Sequence, residues 1–308
     1  MYLYHFGLRE LPFTLTPNTS YFYGLPCHKE ALDVILHALK AGEGFIKVTG
    51  EVGTGKTLIC RKILNELPDH FVTAYIPNPY LSPEELRRAV ATELKVDLSS
   101  QTDQQEFTQR IQEKLIEIHK GGNSVVLIID EAQALPSESL EVLRLFTNLE
   151  TESRKLLQVV LFGQPELDSK ISKGELRQLN QRITFSYVLK TMDQDQLYHY
   201  LKHRLSVAGN RSEEVFSRKV CAILHRACRG TPRIVNVVAH KALMLAYGEG
   251  KSHVTKEHVK LAVKDTDACL QPRSNGGVVI FIVILALLLL LVVFRTEITN
   301  FLTGAELL

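Results

Sequence analysis

The segment GEVGTGKT, Gly50 to Thr57, carries the residues whose chemistry is easiest to read. It fits the spacing G-x-x-x-x-G-K-[ST] of a phosphate-binding loop. Gly53 and Gly55 let the backbone curl so that its N–H groups point inward, toward phosphate oxygens. The helix expected from Lys56 onward turns its positive end to the same place. There the Lys56 ammonium reaches the β- and γ-phosphates of a nucleotide, and the Thr57 hydroxyl ligates Mg2+. Glu51, Val52, Thr54 and Leu58 complete the segment that contacts the nucleotide. A chance match in a glycine-rich turn is the alternative, but an apolar stretch precedes this loop and a helical stretch follows it, as the motif requires.

A second group is VVLIIDE, Val125 to Glu131. An apolar strand ending in two carboxylates suits a hydrolytic site: Asp130 holds Mg2+, directly or through water, and Glu131 orients and polarises the attacking water. The other reading is an acidic turn after a strand. Gln164, in LFGQPEL, lies just past a later strand and can contact the γ-phosphate or the water. Arg177 and Arg182, in ELRQLNQRI, either reach a neighbouring subunit's site as arginine fingers or are surface charges on a helix. Arg233, in RGTPRIVN, opens a helix and can swing onto the γ-phosphate when that region closes. Asn78 either restrains Glu131 until a partner binds or is a simple turn asparagine. No N-K-x-D stretch for guanine recognition is present, which favours ATP over GTP.

These residues need a scaffold that sets them at the ends of strands. Residues 44–50, 71–77, 124–130, 156–163 and 183–190 are short and rich in β-branched residues, several of them apolar on both faces, as buried parallel strands are. Helical patterns alternate with them. One opens with a capping box, Ser82 as cap, Pro83 in the first turn and Glu85 reaching back. The alternation predicts an α/β fold, a parallel sheet with helices on both faces. From Thr191 the strands stop, and helical patterns over 193–207, 213–229, 233–247 and 255–266 predict an all-α module.

Composition sets the outer bounds. The chain has 308 residues, 23% charged and 45% hydrophobic, with net charge +2. That is ordinary globular composition, and the charge is too mild to point to nucleic acid. Five scattered cysteines form no CxxC pair and read as reduced thiols in a cytoplasmic compartment. The start, MYLYHFGLRELPF, lacks the pattern of a secretory signal. Val278 to Phe294 is an unbroken apolar run, about 25 Å of helix. With Gly276 and Gly277 it predicts one membrane span. Lys256, Lys260, Lys264 and Arg273 lie before it and Arg295 alone after it, so the N-terminal side should face the cytoplasm. The expected layout is an opening segment and first helix over 1–43, a nucleotide-binding core over 44–190, a helical lid over 191–267, a linker over 268–277, the span over 278–294 and a short periplasmic tail over 295–308.

Taken together, GEVGTGKT, IIDEAQAL, LFGQPEL, QRI and RGTPRIVN, with YHFGLRELPFTLTPNTSYFY at the start, resemble the AAA+ ATPases, and among them the ExeA/GspA-like secretion ATPases. Length and the short tail are most similar to a member serving mannose-sensitive haemagglutinin (type IV) pilus biogenesis. The resemblance implies a P-loop AAA+ fold with a lid, ATP and Mg2+ as ligands, and a single-pass protein of the bacterial inner membrane. It implies self-association in a ring or ATP-dependent oligomer, and pilus or secretion assembly proteins as partners. It also makes Phe6, Pro12 and Phe13 adenine-pocket candidates, with core packing as the alternative for the aromatics. Members acting on the cell wall carry a periplasmic peptidoglycan-binding domain after the membrane helix; this sequence shows none, which weighs against direct wall contact. Two other functions compete: a DNA-handling ATPase of the transposition-helper type, disfavoured by the membrane segment and mild charge, and a nucleotide-gated scaffold with little turnover, disfavoured by Glu131.

Overall fold

The computed structural model describes residues 2–96, 104–147, 149–150, 155–210 and 214–269. Five short strands form the centre: β1 (Phe45–Gly50), β2 (Phe71–Ile76), β3 (Ser124–Ile129), β4 (Leu157–Gly163) and β5 (Ile183–Leu189). They make one sheet in the order β2-β3-β4-β1-β5, with every pairing parallel. Because successive side chains on a strand point to opposite faces, each central strand divides between two cores. Phe45, Val125, Leu127, Val159 and Leu161 pack on one face, and Ile46, Val48, Val126, Ile128, Val160 and Phe162 on the other. Both faces are apolar in these strands because helices cover both.

The helices follow in chain order. A single turn, α1 (Tyr2–His5), is followed by α2 (Pro26–Ala41) and α3 (Lys56–Glu66), which cover one face through Ala31, Ile35, Ile59 and Ile63. The opposite face is covered by α4 (Pro83–Glu93), α5 (Gln104–Lys120), α6 (Ser137–Phe146), α7 (Pro165–Ile171) and α8 (Arg177–Arg182), through Leu86, Ile111, Leu143, Leu167 and Leu179. The expected capping box starts α4: the Glu85 N–H donates to Ser82 Oγ, and the Ser82 N–H donates to Glu85 Oε2 at 2.8 Å.

After β5 the described residues form helices: α9 (Gln194–Val207), α10 (Arg218–Cys228), α11 (Pro232–Gly248) and α12 (Lys256–Lys264). Asp193 and Gln196 form a capping box on α9, and Thr255 caps α12 through the His258 N–H. These helices have their own apolar core, and the opening segment belongs to it. Tyr2, Phe6, Leu8, Phe13 and Tyr21 are buried there with Leu201, Leu224, Val238 and Leu243. Polar bonds tie the segment down: Arg204 Nε donates to Pro12 O at 2.5 Å, Asn210 Nδ2 to Phe6 O at 2.9 Å, and the Arg9 N–H to Ala208 O at 2.7 Å.

Gly230 closes the approach to α11. Its φ is +69°, and a Cβ there would lie 1.9 Å from the carbonyl oxygen of Met192, whose N–H donates to Gly230 O. Both the left-handed backbone and the clash with main chain exclude a larger residue. We expect Gly230→Ala to cost about 2–4 kcal/mol, read as a fall in denaturation midpoint with an unchanged denaturant slope. Wild-type stability would contradict this packing.

Among the described residues no helix is long and apolar enough to cross a membrane. The expected span at 278–294, the tail at 295–308 and linker residues 270–277 lie outside the described residues.

Candidate nucleotide-hydrolysis site

The phosphate loop leaves β1 at Gly50 and ends where α3 begins at Lys56. Gly53 and Gly55 have φ of +81° and +105°, the left-handed region in which the loop can curl. Thr54 is buried, and its hydroxyl donates to Glu51 O at 2.8 Å. Glu51 and Val52 are exposed at the lip, and Leu58 is half-buried in the first turn of α3. Lys56 is only 4% exposed; its Nζ donates to Gly50 O at 2.7 Å and Glu51 O at 3.1 Å. Burial pushes its pKa down, opposed by the negative charges of Glu131, Asp130, Glu51 and Glu166.

The acidic residues arrive from the neighbouring strands. Asp130 follows β3 and is buried, with Oδ2 accepting the Thr57 hydroxyl at 2.6 Å and Oδ1 accepting the Glu131 N–H at 2.9 Å. Burial raises its pKa, and those two donors together with Lys56 work against the rise. Glu131 has φ +53°, a left-handed conformation that costs a non-glycine residue energy. Its Oε2 accepts two amides, Gln133 Nε2 at 2.6 Å and Gln164 Nε2 at 3.0 Å. Burial pushes the Glu131 pKa up, but the Gln164 and Gln133 donors and the Lys56 charge outweigh it and hold the carboxyl below its usual range.

The helical module meets this site directly. The Arg233 N–H, at the start of α11, donates to Gly53 O at 3.2 Å. A Cβ on Gly53 would lie 2.5 Å from Arg233 Cβ, so glycine is what admits α11 to the loop. The Arg233 side chain is exposed at the loop.

The structure thus brings the loop, Asp130, Glu131, Gln164 and Arg233 together, and it sets the other candidates apart. Asn78 is exposed beside a cavity of about 420 Å³ along β2 and α4, and makes no hydrogen bond to Glu131 among the described residues. Arg177 and Arg182 lie at the two ends of α8, which enters β5 beside the start of β1, since Phe45 pairs with Ile183. The loop begins at the other end of β1, about 17 Å away at roughly 3.3 Å per residue. Within one chain these arginines therefore sit at the opposite end of the sheet from the phosphate site. Phe6 and Phe13 are 5% and 4% exposed in the core of the helical module, Phe13 edge-on to Phe216, and Pro12 is buried beside Arg204. That is the core-packing alternative for the aromatics.

Two further residues shape the site. Gln133 bridges the turn after β3 to the end of β4. His28 on α2 is buried beneath Gly55, stacks on Phe22 and bonds through Nε2 to Thr54 O at 2.9 Å. A carbonyl only accepts, so Nε2 carries the proton; burial lowers the His28 pKa, in keeping with a neutral ring. Neither residue is marked by motif spacing. Gln133 lies two residues after Glu131, the one positional hint available.

The donors present suit a nucleoside triphosphate with Mg2+: inward-curled backbone, a buried ammonium, and paired hydroxyl and carboxylate oxygens, the hard ligands Mg2+ takes alongside substrate phosphates.

The AAA domain profile matches residues 39–171. General secretion pathway protein A of Aeromonas hydrophila is 40% identical over 262 residues; the match covers 85% of this chain and 48% of that protein, so the chain spans about half its relative's length. Among solved structures, Cdc6p of Pyrobaculum aerophilum aligns with a TM-score of 0.66 at 19% identity, covering 82% of this chain and 70% of the other. The ORC2 protein of Aeropyrum pernix aligns at 0.60 and 15% identity, covering 81% and 72%. At such identity the structures speak for the fold alone. Profile, sheet order and phosphate loop agree that residues 39–171 form an AAA domain, and over the matched 262 residues the chain is similar to general secretion pathway protein A.

Proposed function

We propose that this chain is a membrane-anchored AAA+ ATPase that couples ATP hydrolysis to the assembly of an envelope machine, a type IV pilus of the mannose-sensitive haemagglutinin kind or a general secretion apparatus. The observation that carries the hydrolytic part is the assembled set of Lys56, Thr57, Asp130, Glu131 and Gln164 around one loop, with Arg233 docked on it. Lys56 and Arg233 bind the β- and γ-phosphates. Thr57 and Asp130 would hold Mg2+, which would supply positive charge against the phosphates. Glu131 orients the attacking water, and Gln164 senses the γ-phosphate.

Arg177 and Arg182 act in trans in this reading. The distance of α8 from the phosphate loop along the sheet supports that reading. The chain therefore works as a ring or ATP-dependent oligomer, and residues 191–267 act as the lid. The cellular part rests on the 40% identity to a secretion-pathway protein and on the apolar run at 278–294. That run anchors the ATPase at the cytoplasmic face of the inner membrane, where it contacts membrane-embedded assembly proteins.

The test is deletion of residues 276–308. ATP binding and turnover by the remaining chain should persist, while pilus or secretion output in a complementation assay is lost. Full output from the truncated chain would overturn the anchored reading.

A further inference from the structure

The turn after β3 and the start of α7 are joined by a closed ring of hydrogen bonds. Gln133 Nε2 donates to Glu131 Oε2 at 2.6 Å, Gln133 Oε1 accepts the Gln164 N–H at 2.9 Å, and Gln164 Nε2 donates back to Glu131 Oε2 at 3.0 Å. Both amides use the same carboxylate oxygen, and Glu131 Oε1 has no protein partner among the described residues. The ring is braced from outside. Lys170 Nζ donates to Gln133 O at 2.8 Å and Leu135 O at 2.6 Å, so α7 grips the turn near one end while its N-cap, Gln164, grips Glu131 at the other. Gly163 gives the amide room: a Cβ there would come within 2.6 Å of Leu167 and 3.4 Å of Gln133 Oε1.

We propose that Gln133 is a positioning residue for hydrolysis: it fixes Glu131 through Oε2, presents Oε1 to the attacking water, and links Glu131 to the main chain of Gln164. This rests on Glu131 being the water-orienting carboxylate. Glu131 sits in a left-handed conformation that a free side chain would leave, and two short amide bonds hold it there. A carboxylate that loses its oriented donor drifts from the productive geometry, and misplacement of about 1 Å costs on the order of a hundredfold in rate.

The test compares the full chain with Gln133→Ala, the isosteric Gln133→Glu, and Glu131→Gln as control. Single-turnover and steady-state ATPase rates would be measured, with nucleotide affinity from a fluorescent ATP analogue and folding from thermal melting. For Gln133→Ala, kcat should fall about tenfold or more with the Kd for nucleotide unchanged. Gln133→Glu, which keeps the size but removes the donor, should show the same fall in kcat with the same unchanged Kd. A merely structural role would lower melting temperature and activity together without separating kcat from Kd. If Glu131→Gln is inactive while both Gln133 variants keep the wild-type rate, the positioning role is wrong. If Glu131→Gln itself stays active, the water-orienting assignment fails first. Should Gln133→Ala melt early, the isosteric variant still decides.

Discussion

Lys56→Ala should abolish nucleotide binding. The ammonium is nearly inaccessible, 4% exposed, and its partners within the protein are two loop carbonyls, Gly50 O and Glu51 O. Keeping a cation buried against carbonyls is costly unless it does something there, and burial already lowers its pKa. When phosphate enters, Lys56 exchanges carbonyls for anionic oxygens, and charge-assisted bonds of that kind are each worth about 1.5–3 kcal/mol. Losing two of them comes to about 3–6 kcal/mol, about two to four orders of magnitude in Kd. Alanine also leaves the two carbonyls short of a donor, a smaller cost to the fold of about 1–2 kcal/mol. Titration with a fluorescent ATP analogue, with melting as a folding control, reads both effects. Wild-type affinity in a folded variant would remove the loop from the site.

Glu131→Gln separates binding from chemistry. The side chain keeps its size, and the new amide oxygen can still accept the Gln133 donor, so the turn has every reason to hold its shape. What disappears is the negative charge that polarises water. Such a group typically contributes 10²–10⁴-fold, so we expect kcat to fall by about two to three orders of magnitude while Kd for ATP stays within a fewfold. Single-turnover hydrolysis, started after ATP is bound, reads the chemical step directly. Turnover close to wild type would return Asp130-Glu131 to the status of an acidic turn.

Much of this was legible from the residues themselves. The strands fall within about a residue of their apolar stretches, because a six-residue buried parallel strand leaves little freedom once turns bracket it. The cap at Ser82 follows from local hydrogen bonding alone. Long-range placement was harder. Phe6 and Phe13 bury against helices some two hundred residues later, and no local pattern distinguishes that core from a base pocket. Gln133 reaches Gln164 only because β3 and β4 are register neighbours, and His28 meets Thr54 only because α2 crosses beneath the loop. Pairings of this kind come from tertiary contact, and a glutamine or histidine advertises nothing of it in sequence. Asn78 shows the converse: its position after β2 was suggestive, yet the bond to Glu131 is supplied from the other side, by glutamines.

The opening segment's attachment to the helical core has a mechanical meaning. The chain passes between the two bodies twice, from Leu25 in one core to Ala31 in the other, and from Leu189 back to Met192. Those crossings touch: Cys27 Sγ donates to Lys190 O at 3.6 Å. Leu189 in turn pairs with Gly50, the first residue of the phosphate loop. The helical body is thus joined to the sheet by two chain crossings that lie beside the first residue of the phosphate loop, and Arg233 bonds that body to the loop itself.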